Sequence, residues 1–251
     1  MTLCADIGNS AVKLALVHGG HVRWSATLAG SPRAEDIDAT LRRARARMVP
    51  GTAAAMVSVR PALDARVAAA LRRACGTAPL AVTHRTRLPI ALAVRHPERL
   101  GTDRICAAVG ALGMRRRGVI VVDVGTAITV DLVTGRTFRG GVIMAGPSLS
   151  LGALHAGTAR LPRLDFAAGT FPPARIDATD VAMRWGAGLG AAGGIVAAVA
   201  MLQRRLGARL PVVVTGGAAG RIRPLLPARF EFRPHVTLVG LARIAELSKS
   251  S

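Results

Sequence analysis

A chain that carries the same strand-turn-strand segment twice is built from two similar halves, and this sequence does so. Near the N-terminus it reads Cys4-Ala5-Asp6-Ile7-Gly8-Asn9-Ser10-Ala11-Val12-Lys13-Leu14; past the midpoint it reads Val121-Val122-Asp123-Val124-Gly125-Thr126-Ala127-Ile128-Thr129-Val130. Each copy is an apolar strand, then Asp-x-Gly, then small hydroxyl or amide residues, then a second apolar strand. The glycine allows a tight turn and lets backbone N–H groups come close to an anion. Asn9, Ser10 and Thr126 can hydrogen-bond phosphate oxygens, and an aspartate that ends a strand suits Mg²⁺, directly or through water. A single hairpin of this kind is usually an ordinary β-turn. A spaced pair with matching flanks points to phosphate binding, with two halves closing on one nucleotide.

The flanking segments repeat as well. Residues 2–7, 12–18 and 21–28 read as a three-stranded meander turned at Gly19-Gly20. A helix is predicted from Pro32 to Arg47, a strand at Ala53–Val59, a helix from Ala62 to Cys75 and a short strand at Leu80–Thr83. Residues 84–100 read as loop, with Pro89 and Pro97, before a helix from Gly101 to about Met114. Strands at 118–123, 128–133 and 137–143 followed by helical segments restart the plan. The order β-β-β-α-β-α, occurring twice, indicates an α/β protein of two halves, 1–115 and 116–251, each a mixed β-sheet with helices on its faces.

Apolar residues make up 51% of the 251 and aromatics only 3%, with no tyrosine, so the core must be aliphatic. Cys4, Cys75 and Cys106 are odd in number and lie in apolar surroundings; they read as reduced core residues of a cytoplasmic protein. The six histidines show no metal-ligand spacing, and Asp6 and Lys13 interrupt the early apolar run, so no signal peptide is expected. The net charge of +20 suggests nucleic acid, but all basic residues except Lys13 and Lys249 are arginine, spread over predicted helix faces. Aromatics for stacking single strands are nearly absent, so no nucleic-acid partner is expected; attraction for an anionic substrate such as ATP is the consequence drawn. Against that background Lys13, beside the first loop, is informative for its compact ammonium group. Residues 186–202 carry no charge, with Gly186, Gly190 and Gly194 on one helical face. They read as a core or subunit-interface helix, and no membrane association is expected.

These segments resemble type III pantothenate kinases, the family that includes the Bvg accessory factor. Asp6-Ile7-Gly8-Asn9-Ser10 with Ala11, Val12 and Lys13 is similar to the family's first phosphate motif, and Asp123-Val124-Gly125-Thr126-Ala127 to its second. Leu100-Gly101-Thr102-Asp103-Arg104 resembles its G-x-D-R pantothenate motif. Gly140-Gly141-Val142-Ile143 with Gly146, Leu154 with Gly157-Thr158-Ala159, and Leu161-Pro162 continue the pattern. Thr215-Gly216-Gly217 resembles the nucleotide-side turn, and Leu238-Val239-Gly240-Leu241 the last strand-to-helix step.

The resemblance implies two actin-like (ribonuclease H-like) halves and a homodimer that phosphorylates pantothenate with ATP, in the first step of coenzyme A synthesis. It implies that Asp103 is the base, where the residue alone reads as a helix N-cap. Arg104 would pair with the pantothenate carboxylate or an adjacent backbone group, and Gly101, Thr102 and Thr179 would contact the substrate. Thr179 would reach the substrate of the neighbouring subunit; alone it reads as a helix cap. Asp6 would hold Mg²⁺ through water, residues 7–13 with Gly125, Thr126, Gly216 and Gly217 the ATP phosphates, and Asp123 a monovalent cation, K⁺ or NH₄⁺. Alone, Asp123 is a strand-end turn residue.

Four positions depart from the family pattern: Val94 for a tyrosine, Ala145 for a proline, Ala178 for an asparagine and Ala218 for an aspartate. They fall around the substrate pocket and nucleotide rim, so they bear on affinity more than on phosphoryl transfer. Two alternatives stay open at this stage: another small-molecule kinase of the same superfamily, and a regulatory homologue that binds nucleotide without turnover.

Overall fold

The computed structural model of the chain describes residues 1–113, 115 and 117–249. Its contacts divide into two compact units: Met1–Arg116 with Gly135–Phe138 and His235–Ser251, and Arg117–Thr134 with Arg139–Pro234.

In the first unit β1 (Thr2–Ile7), β2 (Ala11–His18) and β3 (His21–Ala29) form an antiparallel meander. Gly19 and Gly20 make its turn with φ of 57° and 76°, the left-handed pair that matches strand twist. Helix α1 (Ala34–Arg45) leads to β4 (Ala53–Ser58), which runs parallel to β1; α2 (Asp64–Cys75) leads to β5 (Leu80–Ala81), parallel to β4. The sheet order is therefore β3-β2-β1-β4-β5. The short β6 (Ala91–Leu92) and α3 (Thr102–Leu112) follow.

In the second unit β7 (Gly118–Val124) and β8 (Ala127–Thr134) pair antiparallel, and β9 (Thr137–Ala145) lies next to β8. Helices α4 (Pro147–Ala156) and α5 (Thr179–Leu206) lead to β10 (Val212–Thr215), parallel to β7; α6 (Ala219–Ile222) leads to β11 (Glu231–Phe232), parallel to β10. The order β9-β8-β7-β10-β11 repeats that of the first sheet strand for strand. Helix α7 (Val236–Lys249) ends the described chain. Each unit is thus a mixed sheet of the actin-like plan, with helices on its faces.

All six residues of β1 are buried, because α2 packs on one face and α7 on the other. Such a strand reads as a continuous apolar run, not as an alternation. Leu3, Ile7, Leu14 and Leu16 meet Ile37 and Leu41 of α1 and Leu71 of α2. Each fully buried aliphatic of this size contributes roughly 1.5–3 kcal/mol of transfer free energy. Helix α1 carries Glu35 and Asp36 in its first turn and Arg42, Arg43 and Arg45 in its last, matching the helix dipole at both ends. In the second unit Ile120, Val122, Ile128 and Val130 pack with Ile195, Val199 and Leu202 of α5.

Several boundaries differ from the sequence reading. Pro61–Leu63 is a 3-10 turn ahead of α2, and the strand after α2 stops at Ala81. The segment 84–100, read as loop, contains β6, which pairs with Thr137 and Phe138, and a 3-10 turn at Pro97–Arg99. Helix α3 ends at Leu112; Met114, its predicted end, and Arg116, at the predicted division between halves, lie outside the described residues. The C-terminal helix α7, assigned by sequence to the second half, belongs to the first unit. Its Gly240 crosses α3 so closely that a Cβ there would overlap the Cys106 carbonyl oxygen.

Helix α5 has 28 residues, more than the uncharged stretch alone suggested, and is the one described helix long and apolar enough to cross a membrane. Nine of its residues, including Met183, Ala187, Ala191 and Ile195, are buried in the core of the second unit. The glycine stripe divides: Gly194 lies against Met144, whereas Gly186 and Gly190 are exposed, with nothing within 4 Å of an added Cβ.

Candidate functional site

Asp6 sits at the carboxyl end of β1 and is only 8% exposed. Its register partner across the hairpin is Lys13, whose Nζ lies 3.9 Å from Asp6 Oδ2. The turn between them is closed by the Gly8 N–H, which donates to the Ala11 carbonyl at 3.0 Å. In the second hairpin the Gly125 N–H donates to the Ala127 carbonyl at 3.1 Å. These two amides therefore serve the turns, and donors for an anion must come from the residues that follow. Neither glycine has positive φ; a Cβ would stand 3.3 Å from the Ala11 carbonyl oxygen at Gly8, a tight approach, and at an ordinary contact distance of 3.4 Å from that of Ala127 at Gly125. Gly8 is half-buried, and Asn9 and Ser10 are exposed.

The first loop is held from outside by Arg60, which the sequence reading did not single out. Its guanidinium donates to the carbonyls of Asn9 at 3.3 Å and Gly30 at 3.1 Å and to Ser31 Oγ at 2.5 Å. Among so many arginines, composition gave no signal for this one.

The start of α3 meets the same sheet edge. The Val59 N–H donates to the Ile7 carbonyl at 3.0 Å, and Thr102 Oγ1 donates to the Ser58 carbonyl at 3.2 Å. Gly101, Thr102, Asp103 and Arg104 thereby stand at the carboxyl ends of β1 and β4, the usual ligand edge of an open α/β sheet. Asp103 is not the N-cap: Gly101 is, without a side-chain cap, and Asp103 is the second helical residue. Its Oδ1 accepts from the Arg104 N–H at 2.8 Å, and a Cβ on Gly101 would stand 2.6 Å from that oxygen. The positive end of the helix dipole favours a carboxylate here. The Arg104 guanidinium lies 5.7 Å over the Phe138 ring. Cys106, one turn on and fully buried, has its thiol pushed well above the usual range, first by burial and then by the charges of Asp6 and Asp103.

In the second unit Asp123 is the register partner of Thr215 on β10. Gly216, with φ of 107°, turns beneath it: a Cβ there would stand 2.5 Å from Asp123 Oδ1 and would overlap the backbone of Val124. Only glycine fits. The Ala218 N–H donates to the Val124 carbonyl at 3.0 Å, which fixes Gly217 beside the second loop. Thr126 is half-buried, and its carbonyl accepts from the Gly146 N–H at 2.9 Å. Gly146 is a second residue whose role sequence reading missed. It caps α4, and its missing side chain admits the carbonyls of Gly125 and Thr126.

Thr179 is the first residue of α5 and exposed. It is not a helix cap: that position is Ala178, which has no side-chain bond to the helix N–H groups. The segment before α5 is gripped by Arg221 of α6, which donates to the carbonyls of Ala167, Ala168 and Gly169 at 3.1, 2.6 and 2.8 Å. The same guanidinium lies 5.3 Å from the Phe166 ring and 5.1 Å from that of Phe171. An open groove of about 310 Å³, lined by Leu28, Pro32, Asp36 and Arg43 among others, contains none of the candidate residues.

No group of three or more histidine, cysteine, aspartate or glutamate side chains able to hold a metal occurs among the described residues. A lone carboxylate at a strand end still suits Mg²⁺, which keeps several waters and takes its other ligands from phosphate.

The family model for type III pantothenate kinase matches residues 2–201. The type III pantothenate kinase of Halorhodospira halophila is 35% identical over 250 residues, covering 96% of each chain. That of a Xanthomonas oryzae pv. oryzae strain is 35% identical over 247 residues, covering 98% of this chain and 97% of its own. Among solved structures, component A of the Acidaminococcus fermentans (R)-2-hydroxyglutaryl-CoA dehydratase aligns with a TM-score of 0.56 at 18% identity, over 100% of this chain and 99% of its own. A ROK family glucokinase from Streptomyces griseus aligns with a TM-score of 0.53 at 13% identity, over 100% and 99%. These two likenesses support the fold, and the full-length relatives favour the pantothenate kinase reading over the alternatives left open by sequence. The chain belongs to the type III pantothenate kinase family.

Proposed function

We propose that this protein transfers the γ-phosphoryl group of ATP to the primary hydroxyl of pantothenate, giving 4'-phosphopantothenate in the first step of coenzyme A synthesis. The observation that carries this reading is the meeting of the Asp6–Lys13 hairpin with the Asp103 helix start at one sheet edge, through the Ile7–Val59 and Ser58–Thr102 bonds. Phosphoryl transfer requires positioning and charge neutralisation more than covalent chemistry from the protein. Asp103 orients the acceptor hydroxyl and takes its proton; Gly101 and Thr102 line that position, and Arg104 receives the pantothenate carboxylate. Residues 7–12 and Lys13 are assigned to phosphate oxygens, as are Gly125, Thr126, Gly216 and Gly217. Asp6 is the residue that would hold Mg²⁺ through water, and the ion bound there would neutralise charge on the phosphates. A coupled assay of ADP release with and without pantothenate tests the reading; ADP release that does not depend on pantothenate would reject it.

Asp123 is proposed as ligand for a monovalent cation, K⁺ or NH₄⁺. Its place near the carboxyl end of β7, opposite Thr215 of β10, supports this role. Activity is expected to be low in Na⁺ or Tris buffer and restored by K⁺ or NH₄⁺. Equal rates in all of them would leave Asp123 as a turn residue.

A homodimer is also proposed, with Thr179 reaching the neighbouring subunit's substrate. The exposed Gly186 and Gly190 of α5, with Leu189 44% and Val196 37% exposed on the same helix and Leu149 48% exposed on α4, support an apolar face available to a second copy. A two-fold interface must be self-complementary, and a flat face of small residues meets that condition. Gly190→Leu has room in its own subunit, so it is expected to give a folded monomer with reduced activity. Light scattering that shows wild-type monomer, or an active dimeric variant, would contradict this interface. The three unpaired cysteines support a cytoplasmic location.

A further inference from the structure

We propose that His235 is a positioning residue for the first phosphate loop, its imidazole confining the Lys13 ammonium to the side of the site where Asp6 stands. This rests on the reading of Lys13 as a phosphate-binding group.

Among the described residues His235 is the one non-glycine with positive φ, 60°. A side chain adopts that conformation at a cost, and such residues cluster at functional sites. His235 immediately precedes α7, and its carbonyl accepts from the Val239 N–H at 3.0 Å, so it caps the helix. Its Nε2 lies 3.5 Å from Ser25 Oγ on β3. The register pairs Ser25 with Ala15 and Lys13 with both Thr27 and Asp6. Directly paired residues and their diagonal neighbours share a sheet face. Ser25, Thr27, Lys13 and Asp6 therefore project together from three adjacent strands, towards the face on which α7 lies over β1 and β2. A ring seated on Ser25 closes the β3 side of Lys13 and leaves its ammonium the β1 side, where Asp6 Oδ2 is 3.9 Å away.

Lys13 on β2 is the charge that acts on the ring, with Asp6 on β1 3.9 Å from that ammonium; on β3 Ser25 and Thr27 are uncharged, and Arg23 shares their strand face by alternation. Partial burial and then the charge of Lys13 lower the His235 pKa, which keeps the ring neutral at neutral pH. The α7 N-terminus disfavours a cation in the same way. A neutral ring can stand beside an ammonium without repelling it. By limiting the rotamers of Lys13 before phosphate arrives, it removes part of the ordering cost of binding.

The test is a double-mutant cycle on nucleotide affinity, measured by calorimetry with Mg²⁺-ATP on the full chain. Glycine accepts the left-handed backbone, so His235→Gly deletes the side chain without adding strain. Immobilising one long side chain corresponds to about a 2- to 10-fold change in affinity. His235→Gly is expected to weaken binding by that factor in the wild-type background and not at all in the Lys13→Ala protein, because the ring acts only through that lysine. The KM for ATP should rise while that for pantothenate stays unchanged, and His235→Asn, which tolerates positive φ, should recover part of the loss. If His235→Gly fails to fold, His235→Asn is carried through the same cycle with the same criterion. Equal losses in both backgrounds, or none in either, would overturn the role of His235 and leave the phosphate loop standing. Failure of the wild-type protein to bind nucleotide at all would overturn the phosphate-loop reading and this inference with it.

Discussion

Asp103→Asn is expected to lower turnover by at least ~10²-fold while the protein stays folded, the scale of a lost general base. The amide preserves the shape of the carboxylate and can still accept the Arg104 N–H through its oxygen, which is bonded at 2.8 Å in the wild type. It cannot take a proton near neutral pH. The helix start does not depend on Asp103 for capping, because Gly101 occupies that position, so little stability should be lost. Circular dichroism and thermal melting should match the wild type while the rate collapses. A folded variant with activity within a few-fold of wild type would remove Asp103 from the base role.

The second large effect is expected at the crossing of α3 and α7. A Cβ on Gly240 would overlap the Cys106 carbonyl oxygen and stand 2.7 Å from the Gly110 nitrogen. Both obstacles are backbone and cannot rotate aside. Gly240→Ala must therefore separate the two helices. Overpacking of this kind costs about 1–3 kcal/mol or more, and each kcal/mol shifts the melting temperature of a chain this long by roughly 2–4 °C. A fall of about 5 °C or more is expected, accompanied by reduced activity, because α3 carries Asp103 on its first turn. An unchanged melting temperature would show that the crossing is looser than described.

The two meanders were legible because strand alternation, the Gly19-Gly20 turn and the Asp-x-Gly segments are local signals. The two Asp-x-Gly turns and the helix start at Gly101–Thr102 were legible for the same reason. What sequence could not give was non-local. Helix α7 returns to the first unit through Gly240 and Gly110, two glycines whose meaning appears only when their backbones meet. β6 is two residues long and exists because Thr137 and Phe138 pair with it. Arg60 and Arg221 act on backbone carbonyls distant in sequence, and no periodicity marks them. The glycines of the two Asp-x-Gly segments were expected to allow tight turns, and their amides close those turns. The Asp103 and Thr179 readings as helix caps failed because Gly101 and Ala178 hold those positions.

The central claim is tested most directly by identifying the product. Purified protein incubated with pantothenate, ATP, Mg²⁺ and K⁺ should yield a compound heavier than pantothenate by one phosphoryl group, with the new phosphate on the primary hydroxyl by ³¹P and ¹H NMR, and one ADP formed per product. Pantothenate recovered unchanged, from protein shown to be folded and to bind nucleotide, would contradict the account.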